Sequence, residues 1–378
     1  MAFLFKRNPK TPQELVRALN DQLTKLDYKD TDATSFKKYQ DEASRHLKQI
    51  KSIIYGDDEN EPQPDQVNYI LHEILSTNGL YLLTFNLAKL DFDSRKDVVK
   101  LFSVLLRRNG VANGTSTGAG TSAGASAGAG AGAGLSSPPP PSSSSLLPSS
   151  PPVVDYLLNK HPDILTCLIR GPETPECGLI SGQILRDCIK FEAINKFVLY
   201  SPEFWNFFEY VQNRTFEVAC DAMMTLNDLL TINKKLVSEF LANNYEVFMT
   251  HTNNLIKSNN YVTKRQSVKL LNDLVSQKAN LAFLNKYFSD TKNLKYTMML
   301  LSEKSKNLQL EGFHLLKFFI ANPKRTQKVN DTLIKNKGNF IEFFKTFDTA
   351  SFHDSSLNEE RNYIIKEIGE LPDKTSPC

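Results

Sequence analysis

The chain of 378 residues lacks most of what secreted and membrane proteins need. Its five cysteines include no CxxC pair, and this odd number in a long chain favours reduced thiols over a disulfide framework. No apolar run approaches the roughly 18 residues of a membrane helix. The first residues also hold too short an apolar stretch for a signal peptide. We therefore predict a cytoplasmic protein without membrane insertion.

The sequence is equally poor in motifs that carry chemistry. A net charge of only +3 gives no reason to expect nucleic-acid binding. The six histidines form no HExxH, no His and Cys cluster has zinc spacing, and the glycine-rich tract lacks GxxxxGKS/T. Asp91 and Asp93 resemble the start of a calcium loop, but Lys96 and Phe102 stand at its sixth and twelfth positions. We predict a protein that is not an enzyme, with no catalytic residues, metal site or cofactor.

What the sequence does contain is a repeated six-residue core motif. Its copies lie 41, 45 and 45 residues apart, at Ile184–Ile189, Thr225–Leu230, Leu270–Val275 and, in degenerate form, Leu315–Ile320. This spacing is typical of armadillo or HEAT helical repeats, which recur about every 40 to 47 residues. Such arrays present a binding surface rather than a pocket, so the period favours binding over catalysis.

A further copy at Leu101–Leu106 precedes the Ile184 copy by 83 residues, which is too far for one repeat. Between them, the 42 residues of Val111–Pro152 are almost wholly Gly, Ala, Ser, Thr and Pro, and removing them restores a spacing of 41. A long looped insertion costs little closure entropy. Its composition cannot bury enough apolar area to become ordered, and it favours a spacer over a polyproline ligand for an SH3 or WW domain.

The pattern predicts an all-α fold, because no stretch alternates with a period of two. We expect an armadillo/HEAT-like helical-repeat solenoid that forms a curved rod. Residues 1–110 and 153–371 are its N-terminal and C-terminal repeats, 111–152 a disordered insertion and 372–378 a disordered tail. Thr11 and Glu14 form a capping box for a first helix that ends near Leu26, and Gly56 suits a left-handed cap after a second helix.

One helix face combines an aromatic side chain with two cations. Tyr261, Arg265 and Lys269 follow each other at intervals of four residues, and Val268 and Leu271 take the opposite, core-directed side. In an armadillo array this helix lines the concave surface, and Tyr and Arg are enriched in binding hot spots. An ordinary solvated basic face is the alternative.

A second candidate lies at Lys295–Leu301. Met298 and Met299 suit irregular apolar ligands, since methionine side chains adapt to many shapes, and Lys304 and Lys306 lie close by. The same two methionines suit a helical core equally well. The sequence leaves both interpretations open.

Beyond the repeats, the chain resembles the calcium-binding protein 39 family, which includes the hymA-like conidiophore proteins of fungi. We expect it to be a yeast member of that family. The resemblance covers nearly the whole chain except the insertion and the tail. It is carried by the segments Lys51–Gly56, Leu90–Phe92, Arg95–Val98, Leu106–Arg108, Leu185–Ile189, Asn260–Ser267, Lys304–Asn307 and Phe319–Pro323.

The resemblance implies a non-catalytic scaffold and allosteric activator that binds a Ste20-like, germinal-centre type protein kinase or pseudokinase through its concave face. It also implies a C-terminal pocket for a peptide tail of the partner. Fungal members imply a role in polarised growth and cell separation, with the protein concentrated at growth or division sites. Further proteins of the kinase pathway are implied as partners.

By analogy, the kinase-binding residues of the concave face are Phe216, Tyr261, Arg265 and Lys269, and those of the tail pocket are Lys278, Leu281, Lys295 and Met298. Here the chain departs from the family, whose Arg and Phe are replaced by Lys278 and Leu281. Lysine lacks the two-pronged geometry of arginine and leucine cannot stack as a ring does, so the preferred tail motif is open. No calcium site is visible.

The alternative function is an armadillo-type adaptor for peptide cargo, or another interaction scaffold unrelated to kinases. Adaptors of the importin kind read basic peptides with acidic residues and Trp and Asn ladders. The predicted groove instead offers Arg265 and Lys269, and the chain has a single tryptophan. The kinase scaffold is therefore favoured.

Overall fold

A computed structural model of the chain describes residues 11–28, 32–57, 61–108, 150–349, 352 and 356–372. These residues form twenty α-helices and no β-strand, which confirms the predicted all-α helical-repeat solenoid class. The α-helices are α1 Pro12–Leu26, α2 Ala33–Tyr55, α3 Pro64–Ser76, α4 Gly79–Phe85, α5 Phe92–Arg107, α6 Pro152–Asp155, α7 Pro162–Ile169, α8 Gly178–Cys188, α9 Glu192–Tyr200, α10 Asn206–Asn213, α11 Phe216–Thr231, α12 Lys234–Asn243, α13 Tyr245–Ile256, α14 Tyr261–Ser276, α15 Leu281–Ser289, α16 Thr291–Leu301, α17 Lys306–Ala321, α18 Gln327–Lys335, α19 Lys337–Thr346 and α20 Leu357–Gly369.

The first two helices begin and end where local chemistry predicts. Thr11 caps α1 through its side chain, which accepts from the backbone of Glu14, and the Glu14 carboxylate accepts from the Thr11 backbone in return. This is the predicted capping box, and α1 ends at Leu26 as expected. Gly56 follows α2 with φ 79° and ψ 173°. Its positive φ agrees with the prediction, but its ψ is extended rather than left-handed helical, a region open almost only to glycine.

The described residues divide into two compact units. The first comprises those within Met1–Leu83 and Asp91–Pro162, and the second those within Thr84–Leu90 and Asp163–Cys378. In the first unit α1 packs on α2 and α3, and α2 packs on α5. The buried carboxylate of Asp97 there pairs with Lys51 at 2.9 Å, which ties α5 to α2.

In the second unit, helices that are three positions apart in the chain stack on one another. The helices α8, α11, α14, α17 and α20 pack successively, each on its predecessor, and α9, α12 and α15 form a second row of the same kind. The helices α10, α13, α16 and α19 pack on the following members of the first row. The repeating unit is therefore three helices, as in armadillo repeats. We call α8, α11, α14, α17 and α20 the motif row.

The motif row owes its name to the repeated core sequence. Each copy in this unit lies at the C-terminal end of its own helix, in α8, α11, α14 and α17, and only Ile189 follows directly after the end of α8. The first, second, fifth and sixth residues of each copy are buried, as in Leu270, Leu271, Leu274 and Val275 of α14. Packing these four residues against neighbouring helices removes their apolar surface from water and supplies the driving force for stacking. The buried residues of the motif thus form a continuous core along the row.

Some expectations need adjustment at their edges. The predicted insertion lies outside the described residues up to position 149, but Pro151 is buried and Pro152 already begins α6. Of the predicted tail, only Pro372 is described. Cys177 and Cys188 are buried, whereas Cys167 and Cys220 are half-buried. The single tryptophan, Trp205, is half-buried and stacks on His251 with ring centroids 5.1 Å apart.

Candidate partner-binding surface

Polar side chains connect neighbouring helices of the motif row. Between α8 and α11, Arg186 donates to the Asp221 carboxylate at 2.7 Å and to the Thr225 hydroxyl at 2.8 Å. The ion pair is largely buried, with side chains 17% and 12% exposed. Gly182 of α8 leaves room for this bridge, because a Cβ there would overlap the Asp221 carboxylate. We call the contact between two successive helices of the motif row a step. The α8–α11 step is therefore closed by a charged bridge.

The later steps of the row are bridged at related positions. Asn272 of α14 donates to the Glu311 carboxylate of α17 at 2.7 Å and to the Glu311 backbone carbonyl at 3.1 Å. Lys317 of α17 donates to both carboxylate oxygens of Glu360 in α20 at 3.0 Å. Arg186, Asn272 and Lys317 each occupy the third position of their copy of the motif. We call this third position of the motif the connector position, because its side chain joins two helices of the row.

The step between α11 and α14 is different. Its connector position holds Asn227, and the position that Asp221 and Glu311 occupy in the neighbouring steps holds Gln266. Among the residues described, no side-chain hydrogen bond joins Asn227 to Gln266. Both line an open groove of about 590 Å³. The corresponding cavity between α14 and α17, where Asn272 and Glu311 bond, is about 270 Å³. The missing bridge coincides with the larger opening.

We call this opening the α11–α14 groove; it is lined mainly by Phe216, Met223, Met224 and Asp228 of α11 and by Val262, Gln266, Lys269 and Asp273 of α14. The side chains of Phe216 and Met224 are 65% and 57% exposed. Large apolar side chains exposed to water along a concave opening are typical of protein-binding sites. The groove is therefore the strongest candidate for partner binding in the described residues of the second unit.

The structure brings two of the four predicted kinase-binding residues into this groove and directs the other two elsewhere. Phe216 and Lys269 line it from opposite helices. Tyr261 instead lies against the start of α17, where its hydroxyl accepts from Asn307 at 3.3 Å and from Ser305 at 3.4 Å. These two hydrogen bonds hold the pKa of Tyr261 below its usual value. Tyr261 remains 43% exposed.

Arg265 lies between these two regions, on the side of α14 that faces α17. It is half-buried, and its Nε is buried without a hydrogen-bond partner. Its charge acts on Tyr261 and on Glu311, whose pKa is nevertheless raised, because burial outweighs the hydrogen bond from Asn272 and the nearby cations. A buried guanidinium nitrogen without a partner carries the cost of an unmade hydrogen bond.

The four residues predicted for the tail pocket lie on consecutive elements. Lys278 belongs to a 3₁₀ turn at Lys278–Asn280, Leu281 begins α15, and Lys295 and Met298 lie on α16. Leu281 is 62% exposed and Met298 is half-buried, whereas its neighbour Met299 is 59% exposed. In the described residues no side-chain hydrogen bond or ion pair joins the four. Their assembly into one pocket stays a prediction.

Other kinds of site find little support in the described part of the chain. No group of three or more His, Cys, Asp or Glu side chains there is arranged to hold a metal ion. None of the described helices combines the length and apolar composition that a bilayer crossing requires.

Several residues of the groove were missed by the sequence interpretation. Met223, Met224, Val262, Asp228 and Asp273 were not singled out as binding residues, yet all line it. A signal was present in the repeat itself, because Asp228 and Asp273 occupy the same fourth position of two successive copies of the motif. Aligning the copies position by position would have marked this pair.

Comparison with known proteins gives one consistent result. The sequence model of a family described as Mo25-like matches residues 3–372. The chain is 37% identical to "Calcium-binding protein 39-like" of Homo sapiens over 99% of this chain and 98% of that protein. It is 35% identical to "Mo25-like protein" of Schizosaccharomyces pombe, over 98% of this chain and all of that protein.

A third relative is "Conidiophore development protein hymA" of Emericella nidulans, 31% identical over 98% of this chain and 94% of that protein. Relatives thus occur in animals and fungi alike, and a yeast source stays a prediction. The resemblance drawn from short segments is confirmed over nearly the full length of the sequence: the chain belongs to the Mo25-like family.

Proposed function

We propose that this chain is a non-catalytic scaffold and allosteric activator of a Ste20-like protein kinase or pseudokinase in a pathway of polarised growth and cell separation. The observation that carries the proposal is the α11–α14 groove, which exposes Phe216 and Met224 in a chain of the Mo25-like family. The groove and the neighbouring Tyr261 and Arg265 provide the kinase contact. Lys278, Leu281, Lys295 and Met298 provide the pocket for the tail of the partner.

The residue types suit this role. Phe216 and Tyr261 are the first residues of α11 and α14 and lie 45 residues apart. The repeat therefore places an exposed aromatic ring at the same point of two successive helices of the motif row. Arg265 adds a half-buried guanidinium whose charge acts on Tyr261. Aromatic and arginine side chains dominate the binding energy of interfaces when water is excluded around them.

Activation follows from differential binding. The scaffold must bind the active conformation of the kinase more tightly than the inactive one, because equal affinity for both shifts no population. A difference of about 3 kcal/mol changes the ratio of the two conformations by roughly 150-fold. No catalytic group of the scaffold is required, and the protein acts in the cytoplasm at sites of growth or division.

The test uses the purified full-length chain and a Ste20-like kinase, with affinity measured by calorimetry and activity by phosphate transfer to a substrate peptide. We expect Arg265→Ala and Met298→Ala each to weaken binding at least tenfold and to reduce activation. Lys235→Ala on α12 and Val247→Ala on α13 are matched controls, since both residues are exposed and lie outside the proposed contacts.

Unchanged binding and activation in both variants would refute the assignment of the face and the pocket. Failure of the wild-type chain to bind any Ste20-like kinase, together with capture of nuclear cargo proteins from an extract, would favour the adaptor function instead.

A further inference from the structure

The face of α14 that carries an aromatic ring and two cations has a counterpart in the first unit. On α14 these residues stand nine, five and one positions before the motif copy, and they are Tyr261, Arg265 and Lys269. The same three positions before the copy in α5 hold Phe92, Lys96 and Lys100. Both helices thus present an aromatic residue followed by two cations at intervals of one helical turn. We call Phe92, Lys96 and Lys100 the α5 face.

The α5 face is open to water. The Phe92 side chain is 63% exposed, nearly as much as Phe216 at 65%, and both lysines are exposed as well. Lys96 lies over the Phe92 ring, with Nζ 3.9 Å from the ring centroid, and the same nitrogen is 3.9 Å from the exposed Asp93 carboxylate. In the described part of the chain, the Lys100 side chain forms no hydrogen bond or ion pair. An exposed ring beside available cations is a composition that binds carboxylates and apolar groups together.

Buried polar contacts fix the beginning of this face on α2. The Asp91 carboxylate caps α5 by accepting from the Ser94 backbone at 3.0 Å and from the Ser94 hydroxyl at 2.8 Å, and the Ser44 hydroxyl of α2 donates to it as well. Burial opposes the charge, yet these hydrogen bonds lower the pKa of Asp91 to about 2. Because Phe92 follows Asp91 directly, its ring starts from a rigid point, which reduces the entropy lost on binding.

The charges around the α5 face are largely positive. The Asp97 carboxylate of the same helix is buried and already paired with Lys51. Tyr55 of α2 is an exposed second ring at the border of the face, and its hydroxyl donates to the Lys100 backbone carbonyl at 3.1 Å. Burial raises the pKa of Tyr55, and the nearby charge of Arg107 acts in the opposite direction. The face and its border therefore attract a negatively charged partner.

We propose that the α5 face binds an acidic segment of a second partner protein, with an apolar side chain against Phe92 and carboxylates against Lys96 and Lys100. This goes beyond the proposed function, whose kinase contacts all lie in the second unit. Successive residues of the face are about 6 Å apart along α5. A partner helix running alongside, with an apolar residue at i and carboxylates at i+4 and i+8, has the same spacing. A single row of cations suits such a segment better than the plane of a membrane.

The probes are two fluorescent helical peptides with leucine at i that differ only at i+4 and i+8, one with glutamates and the other with lysines. Binding to the full-length chain is measured by anisotropy. We expect the glutamate peptide to bind about tenfold more tightly at low salt, and this preference to shrink at high salt. Lys96→Glu combined with Lys100→Glu should reverse the preference, because the charges are exchanged. Phe92→Ala should weaken binding of the glutamate peptide about tenfold, since the apolar contact is lost.

Lys234→Glu combined with Lys235→Glu is the matched control, since it makes the same change of charge at two exposed lysines of α12. It should leave the preference intact, and thermal melts check that all variants fold. Equal binding of both peptides to the wild type, no binding of the glutamate peptide up to about 1 mM, or the same reversal in the control would overturn the inference. Wild-type binding to phosphatidylserine vesicles that is lost in the α5 double variant would assign the face to a membrane and overturn it too.

A parallel measurement with the kinase separates the two proposals. If the kinase binds, keeps its affinity within about twofold in the α5 double variant and leaves the glutamate peptide bound, the face serves a second partner. If the kinase displaces the peptide or loses about tenfold in affinity, the face belongs to the kinase contact, and the inference is wrong while the scaffold function stands. If no kinase binds, the scaffold function fails, and the peptide preference alone decides about the α5 face.

Discussion

The α8–α11 and α11–α14 steps of the motif row join equivalent helices of successive repeats. A polar bridge closes the first step, whereas the second leaves an open groove. In the first, Arg186 reaches Asp221 and Thr225 and closes the interface. In the second, Asn227 and Gln266 occupy the positions of Arg186 and Asp221, and a groove of about 590 Å³ remains. The apolar core beneath is alike in both steps, with Leu185 and Leu226 fully buried.

The difference shows that core and surface residues of one motif have separate tasks. Apolar positions provide stacking and are filled in every copy, whereas the connector residue and the residue that faces it on the next helix together decide whether a step is sealed or open to a partner. A scaffold built of repeats can therefore place a binding groove at one step without loss of its core, because each repeat contacts only its neighbours. The following predictions test this distinction.

The largest effect is expected where the bridge is broken. Arg186→Ala leaves the largely buried Asp221 carboxylate without its cation, and such a change costs about 3 kcal/mol of unfolding free energy. Urea unfolding followed by circular dichroism measures the loss. Lys190→Ala removes the exposed pair with Asp187 and should cost less than about 1 kcal/mol. Equal losses in the two variants would contradict the structural role assigned to the bridge.

A smaller effect on stability, but a decisive one on binding, is expected where a bridge is added. Asn227→Arg combined with Gln266→Asp, both in a Met223→Gly background, recreates the Arg186–Asp221 pair between α11 and α14, because Met223 stands where Gly182 makes room for that pair in α8. We expect a favourable coupling energy of about 1 kcal/mol in a double-mutant cycle, since the new pair is only partly buried. Kinase affinity should fall at least tenfold, because the arginine side chain fills the groove.

The two single variants complete that cycle and control for the loss of Asn227 or Gln266 alone. A double variant that shows the coupling yet binds the kinase normally would disprove the link between the open step and partner binding.

The smallest effect concerns the α14–α17 step. Burial raises the pKa of Glu311 above its ordinary 4.5, so the folded state holds this proton more tightly than the unfolded state. Stability that this group contributes is present below pH 4.5 and is lost as pH rises through the folded pKa. Glu311→Gln keeps an acceptor for Asn272 and removes the titration.

We therefore expect Glu311→Gln to match the wild type below pH 4.5 and to be slightly more stable at neutral pH, measured by urea unfolding at both. A variant that is less stable at neutral pH than the wild type would show that the Glu311 charge, rather than its hydrogen bond, holds this step together.

Much of the fold and part of the site were predictable from the sequence. The motif spacing predicted a helical-repeat array, because each copy repeats the same local apolar pattern. The capping box at Thr11 predicted the start of α1, because capping depends on residues close together in the chain. The face of Tyr261, Arg265 and Lys269 was predicted as one surface, but its members point to different neighbours. Helical periodicity assigns a direction around one helix, whereas a groove also depends on what stands opposite.

By itself, the sequence determined the all-α class, the helical repeat with its period of 41 to 45 residues, the buried positions of the motif and the family. These follow from local propensity and from the pattern of apolar residues. Only the tertiary structure decided which step of the row is open. Asn227 and Asn272 are the same residue at the same motif position, and only the partner that the fold sets against each, Gln266 or Glu311, determines whether it closes a bridge or lines a groove.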